Sequence, residues 1–206
     1  MRPPLLLSGA ATLVLVGIAM SPAWADAAAR VEFAVGQGRA LRADGVTRAL
    51  QRNAEVFVGE TIVTGRDARV ALRFSDGGYV ALQPESRLRI ESYHFDGAVD
   101  GGERSYLSLL KGGLRAITGI IGRVHKPNFR LITRAATVGV RGTEYALRYT
   151  DQLVASVREG EIVLCNGSGC NSALQGEAYA VPASDVGPVL VVGPAQALPP
   201  DAPVLP

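Results

Sequence analysis

Thr137-Val138-Gly139-Val140-Arg141-Gly142-Thr143-Glu144-Tyr145 decides how this chain is read. β-branched residues alternate with glycine and arginine, so the segment reads as a strand. A period of two sends Val138 and Val140 to one face and Thr137, Gly139 and Arg141 to the other. Gly139 and Gly142 weaken a strand interior unless the backbone bends there or another backbone comes close. Gly142 is expected to meet a backbone requirement such as positive φ, which a β-branched residue tolerates badly. Arg141 carries a permanent charge on a planar fork of donors, so it must reach water or an internal carboxylate or carbonyl. The internal partner is the expectation.

Outward from this strand the chain keeps the same grammar. Val31–Gly36 alternates and reads as a first strand, with Asp26–Arg30 expected to be a frayed leader. Two short strands are expected around the Asp44-Gly45 turn. Val56–Val58, Thr61–Thr64 and Arg69–Phe74 follow as short β-rich runs separated by glycine. Leu88 and Ile90 point inward in a strand over Arg87–Tyr93. Ser105–Leu110 and Gly113–Ile117 read as two strands across a Gly112-Gly113 turn. Tyr145–Tyr149 and Leu153–Arg158 flank a turn at Thr150–Gln152. Glu161–Cys165, Asn171–Leu174 and Glu177–Val181 close the domain, and Val189–Val192 has the composition of an edge strand. Strands at this spacing, with no helical apolar stripe, predict an all-β domain of many short strands around one apolar interior.

The Asp76-Gly77-Gly78 turn permits a register argument. Val70, Leu72 and Phe74 share a face, and the return strand offers Val80 and Leu82. A three-residue loop, Asp76–Gly78, pairs 74 with 80 and puts all five apolar side chains on one side, with positive φ expected at Gly78.

Residues 1–25 read as a cleavable secretory signal. Arg2 is the positive region, Leu5–Met20 the apolar region, and Ala23-Trp24-Ala25 the cleavage pattern. The apolar run is short for a membrane span of about 20 residues. The expectation is a soluble periplasmic protein without stable membrane insertion after cleavage. The domain is placed at 31–193 and a proline-rich flexible tail at 194–206. Charge is unevenly spread. From Arg104 to Arg148 there are nine Lys/Arg and one acid, Glu144; from Tyr149 onward there are six acids and one Arg.

Cys165 and Cys170 bracket Asn166–Gly169, a hairpin loop by composition. Cross-strand cysteines there can reach the Cα separation of about 5.5 Å that a disulfide needs. Two cysteines without a nearby histidine make a poor metal site, and the spacing is not that of a C-x-x-C redox pair. Gly36-Gln37-Gly38 opens no helix, so a dinucleotide site is unsupported; no metal or cofactor is expected. His94 and His125 are the two histidines, both read as solvated surface residues without a nucleophile motif nearby. Thr118–Asn128 reads as a basic loop with room for one helical turn. Arg123, Lys126 and Arg130 on and beside it form the candidate binding patch for an envelope protein or an anionic glycan; nucleic acid is not an expected partner after export.

Several segments occur together in one order: Gly59-Glu60-Thr61-Ile62-Val63-Thr64-Gly65, Ala68–Gly78, Pro84–Ile90, Leu110–Arg115, Arg134–Tyr145 and Glu159–Val163. In that order they resemble the FecR domain family, over roughly Val31–Val181. Gly139, Val140, Arg141, Gly142 and Thr143 match the family's signature segment. The resemblance implies stacked, solenoid-like β-turns, with an irregular β-sandwich as the alternative. It implies a non-enzymatic sensing or scaffold module. Familiar FecR proteins are transmembrane regulators in which a cytoplasmic segment acts on a sigma factor and a periplasmic part senses a transporter. Here the FecR-like part follows the expected signal directly, so only the periplasmic role carries over. The alternatives are an envelope enzyme acting on cell-wall glycan, which needs a cleft with convergent carboxylates, and a structural protein recruiting other chains through exposed β-edges.

Overall fold

The computed structural model describes residues 27–192; the expected signal and the proline-rich tail lie outside the described residues. Strands dominate. They are β1 (Ala27–Val35), β2 (Gly38–Leu41), β3 (Thr47–Ala49), β4 (Glu55–Phe57), β5 (Thr61–Thr64), β6 (Arg69–Phe74), β7 (Tyr79–Leu82), β8 (Arg87–His94) and β9 (Arg104–Ile117). A short helix, α1 (Ile120–Val124), and a 3₁₀ turn (Lys126–Asn128) follow. The chain then returns to strands in β10 (Phe129–Ile132), β11 (Thr137–Tyr149), β12 (Leu153–Asn166), β13 (Gly169–Leu174), β14 (Ala178–Val181) and β15 (Val189–Val192). All belong to one mixed sheet that does not close into a barrel. Its one parallel pair among the described residues is β9 with β10.

The sheet has two arms joined by its three long strands. The first half of β9 lies between β8 and β10, and its second half between β7 and β11. β11 and β12 run side by side through both arms, and β12 carries β14 beside Leu153–Ser156 and β13 beside Glu161–Asn166. One buried apolar cluster draws on both arms. Leu88, Leu107 and Val138 come from one; Val31, Leu72 and Leu114 come from the other. The alternating pattern accounts for this, because each strand turns one side of its pleat to that shared interior.

The long strands are read in the sequence as pairs of short ones, and the structure corrects this. Gly112, Gly142 and Gly160 interrupt the pattern, yet each adopts positive φ (+88°, +64° and +82°) and bends its strand without ending it. The register between β11 and β12 shifts between Arg141 and Tyr145, where the two bends meet. A Cβ on Gly160 would lie 2.5 Å from the Gly142 carbonyl oxygen, so the two backbones cross at close range.

Two further expectations are corrected. Ala27–Arg30 is not frayed: it is part of β1, pairing with β4 and β6, and Ala28 and Ala29 are buried. Small apolar side chains fit that packed position although they carry little strand signal. In the β6–β7 hairpin, Leu72 faces Val80 and Val70 faces Leu82, and the loop is Ser75–Gly77 with positive φ at Gly77. The Asp76 carboxylate accepts the Gly78 N–H at 3.0 Å, which tightens the reversal one residue early. The slip is two residues, so parity survives and all five apolar side chains still join the core.

Candidate functional site

The bend in β11 organises the polar residues around it. Val138 and Val140 are buried, opposite Leu164 and Ile162 of β12. Arg141 lies on the other face, opposite Glu161, and its Nη1 donates to Glu161 Oε2 at 3.1 Å. Glu161 also accepts the Ser172 hydroxyl at 2.7 Å from β13. The Ser172 hydrogen bond, then the Arg141 charge and hydrogen bond, and more weakly the Lys126 ammonium, hold this carboxyl below the usual glutamate range despite partial burial. Arg141 thus has the internal carboxylate partner expected of it.

Beyond the bend, Thr143 and Thr118 lock β11 to the end of β9. The Thr118 N–H and hydroxyl both donate to the Thr143 carbonyl, at 3.0 Å each. Glu144 pairs with the buried Arg115 of β9 and lies 3.6 Å from Arg158 Nε of β12. Gly142 through Glu144 are therefore engaged within the fold. Gly139 has ordinary surroundings: an added Cβ would sit 3.9 Å from the Val163 carbonyl oxygen.

The 118–128 segment is more ordered than a loop. Asp76, buried in the β6–β7 turn, supplies its carbonyl to the Ile120 N–H at 3.0 Å and its carboxylate to the Ile121 N–H at 3.4 Å. These are the orphan donors that begin a helix, so the backbone carbonyl and the side chain of one residue from a distant hairpin start α1. The Tyr93 hydroxyl also donates to Asp76, at 3.3 Å. Burial pushes the Tyr93 phenol up to about 12.

His125 corrects the expectation of a free surface histidine. Its Nδ1 pairs with Glu103, whose side chain is almost wholly buried. Burial pushes the Glu103 carboxyl up. The His125 hydrogen bond, the N–H groups of Glu103 and Gly101, and the His125 charge together outweigh it and hold the carboxyl below its usual value. A buried carboxylate needs such partners, and the polar 95–103 loop supplied no sign that Glu103 would be inside. His94 is exposed at the end of β8.

The three patch residues occupy neighbouring elements. Arg123, on α1, donates from Nε to the Thr118 carbonyl at 3.0 Å. Lys126 begins the 3₁₀ turn and is close enough to act on Glu161. Arg130, on the outer face of β10, lies over the Tyr106 ring at 5.4 Å from its centre. None of the three has a carboxylate within 4.0 Å among the described residues. Cys165 and Cys170 face each other across the β12–β13 hairpin and are joined in a disulfide.

Three comparisons bear on this arrangement. The family model described as "FecR protein" matches residues 60–163. A crystal structure at 1.65 Å of a candidate anti-sigma factor from Parabacteroides distasonis ATCC 8503 is similar, with TM-score 0.52 and 18% identity over 66% of this chain and 61% of that one. A second structure with the same description, at 2.50 Å, gives the same values. At that identity the likeness establishes the fold, and this chain spans about three fifths of that protein's length. No curated protein matches the sequence significantly.

Proposed function

This chain belongs to the FecR family, by a match over half of its length, and from that premise we propose that it is a non-enzymatic periplasmic sensing or scaffold module. It binds an envelope protein or an anionic glycan through the basic surface of Arg123, Lys126 and Arg130. The observation that carries this reading is the contrast between two sets of arginines and lysines. Those of the bend, Arg115 and Arg141, are matched to Glu144 and Glu161. Those of the 120–130 segment present charge without a carboxylate partner within 4.0 Å among the described residues. Clustered exposed cations raise encounter rates with acidic surfaces, and salt weakens the effect. The description of the similar fold as a candidate anti-sigma factor supports a regulatory setting.

The test is affinity capture from envelope extract with the wild-type chain and with a triple charge reversal at Arg123, Lys126 and Arg130. The reading expects a partner captured by the first and lost from a folded second, with capture declining as salt rises. Equal capture by both moves the binding site elsewhere.

A second reading, an assembly role, rests on β15. Among the described residues this edge strand pairs only with β14, and Val189, Leu190 and Val191 are each more than half exposed. Unprotected edges of this kind recruit further strands. Light scattering that finds a monomer at all concentrations removes this reading.

A further inference from the structure

The pairing of four strands sets up a charge conflict that stability does not explain. Arg87 of β8 stands directly opposite Lys111 of β9, and like charges opposite one another on paired strands are destabilising. Val63 of β5 is opposite Arg87 on the other side, and Arg39 of β2 is opposite Val63. The row thus reads Arg39, Val63, Arg87, Lys111 across neighbouring strands about 4.8 Å apart. Arg66, from the turn after β5, joins Arg87 and Lys111 around an open groove of about 250 Å³ over Val63. Arg66, Arg87 and Lys111 are exposed, and no carboxylate lies within 4.0 Å of them among the described residues.

The groove is built on a stiff frame. The Glu85 N–H donates to the Gly65 carbonyl at 3.1 Å, tying together the two turns that wall it. The buried Thr64 and Ser86 beneath exchange hydrogen bonds: the Thr64 N–H donates to the Ser86 carbonyl at 3.0 Å, and the Ser86 N–H to Thr64 Oγ1 at 2.8 Å. Glu85, the one acid lining the groove among the described residues, adopts left-handed backbone (φ +54°). Cations held together on a rigid wall at a cost in repulsion mark a site kept for a ligand rather than for the fold.

We propose that this groove binds a doubly charged oxyanion of the phosphate class. Three cations against one carboxylate leave an excess of two positive charges, matching the roughly −1.5 to −2 of a phosphomonoester at neutral pH. The two guanidinium forks suit oxyanion geometry, and the ammonium adds a point charge. The volume leaves room for part of the group that carries the phosphate. Arg66, Arg87 and Lys111 are distinct from Arg123, Lys126 and Arg130, so the assignment does not rest on the function proposed above.

The test titrates the purified chain with pyrophosphate at constant ionic strength, with acetate as control, following backbone amide shifts and thermal stability. The expected result is saturable change confined to residues 63–66, 85–87 and 111, absent with acetate. Lys111→Gln and Arg87→Gln should each weaken binding at least about fivefold. Arg123→Gln should leave it unchanged. Without pyrophosphate, Lys111→Gln should melt at or above the wild-type temperature, because it removes a like-charge pair. Two variants keep the test informative if one misfolds. Co-sedimentation with phosphatidylcholine vesicles, with and without phosphatidic acid, separates a lipid headgroup from a soluble phosphate compound as the source. Unsaturable shifts, or equal stabilisation of wild type and both variants by pyrophosphate, would overturn the proposal.

Discussion

Gly160→Ala adds one methyl group where β12 crosses β11. The new Cβ would lie 2.5 Å from the Gly142 carbonyl oxygen, 3.0 Å from Thr143 Cγ2 and 3.1 Å from the Arg141 carbonyl oxygen. Two of the three obstacles are backbone of the signature strand, so relief requires moving that strand. Gly160 also has φ +82°, a region that costs an L-residue about 1–2 kcal/mol. Overpacking adds about 1–3 kcal/mol, for a total of roughly 2–5 kcal/mol against a domain stability of about 5–15 kcal/mol. Gly142→Ala is the matched control: its φ is +64°, but among the described residues no atom beyond its chain neighbours lies within 4 Å of the added Cβ, so only the first cost applies. At about 2–4 °C per kcal/mol, thermal unfolding followed by circular dichroism should lower the midpoint by roughly 4–20 °C for Gly160→Ala and about 2–8 °C for Gly142→Ala. Denaturant midpoints should fall in the same order. Equal losses in the two variants, or a Gly160→Ala protein as stable as wild type, would refute the idea that the crossing of the two bends is the tight point of the fold.

Other outcomes follow from single groups. The Tyr145 hydroxyl is buried with no hydrogen-bond partner among the described residues, and burial raises its pKa; Tyr145→Phe should be neutral or stabilise by about 1 kcal/mol, and a clear loss of melting temperature would reveal a partner for that hydroxyl. Thiol alkylation of the unfolded, unreduced chain should label neither Cys165 nor Cys170, and replacing both by serine should cost about 2 kcal/mol; labelling of both would contradict the bridge. Glu103 and Glu161 are depressed in the folded state, so their contribution is complete above the ordinary glutamate value of 4.5 and is lost as pH falls below it. Denaturant stability should therefore fall on acidification in that range, and Glu103→Gln should flatten the decline; an unchanged slope would remove Glu103 from the account.

The parts of the fold legible in the sequence are those with a local signature. Alternation at Val138 and Val140 fixed the buried face of β11, and Arg141 was legible as a charge needing a partner. Glycine in a β-branched strand flagged both Gly139 and Gly142, and only Gly142 takes the positive φ. What could not be read depends on distant pairing. Gly112 and Gly160 look like strand ends, because a bulge and a turn use the same residue. Asp76 begins a helix 44 residues further on, at Ile120, and nothing in the Asp-Gly-Gly composition points there. Glu103 sits in a stretch as polar as any exposed loop, and only the fold shows it inside against His125. The Arg87–Lys111 conflict likewise needs the register of β8 on β9 before it exists.

In the proposed division of labour, the signature arginine pairs within the fold, while the 120–130 cations are left for binding. The most direct measurement compares Arg141→Ala with the Arg123, Lys126 and Arg130 charge reversal, scoring melting temperature and partner capture on the same preparations. Arg141 is half exposed in its pair with Glu161, with 52% and 22% exposure at the two side chains, so loss of the pair should cost only about 0–1 kcal/mol. Arg141→Ala should keep full, salt-sensitive capture, while the charge reversal should stay folded and lose it. Capture lost with Arg141→Ala and retained by the charge reversal would contradict it.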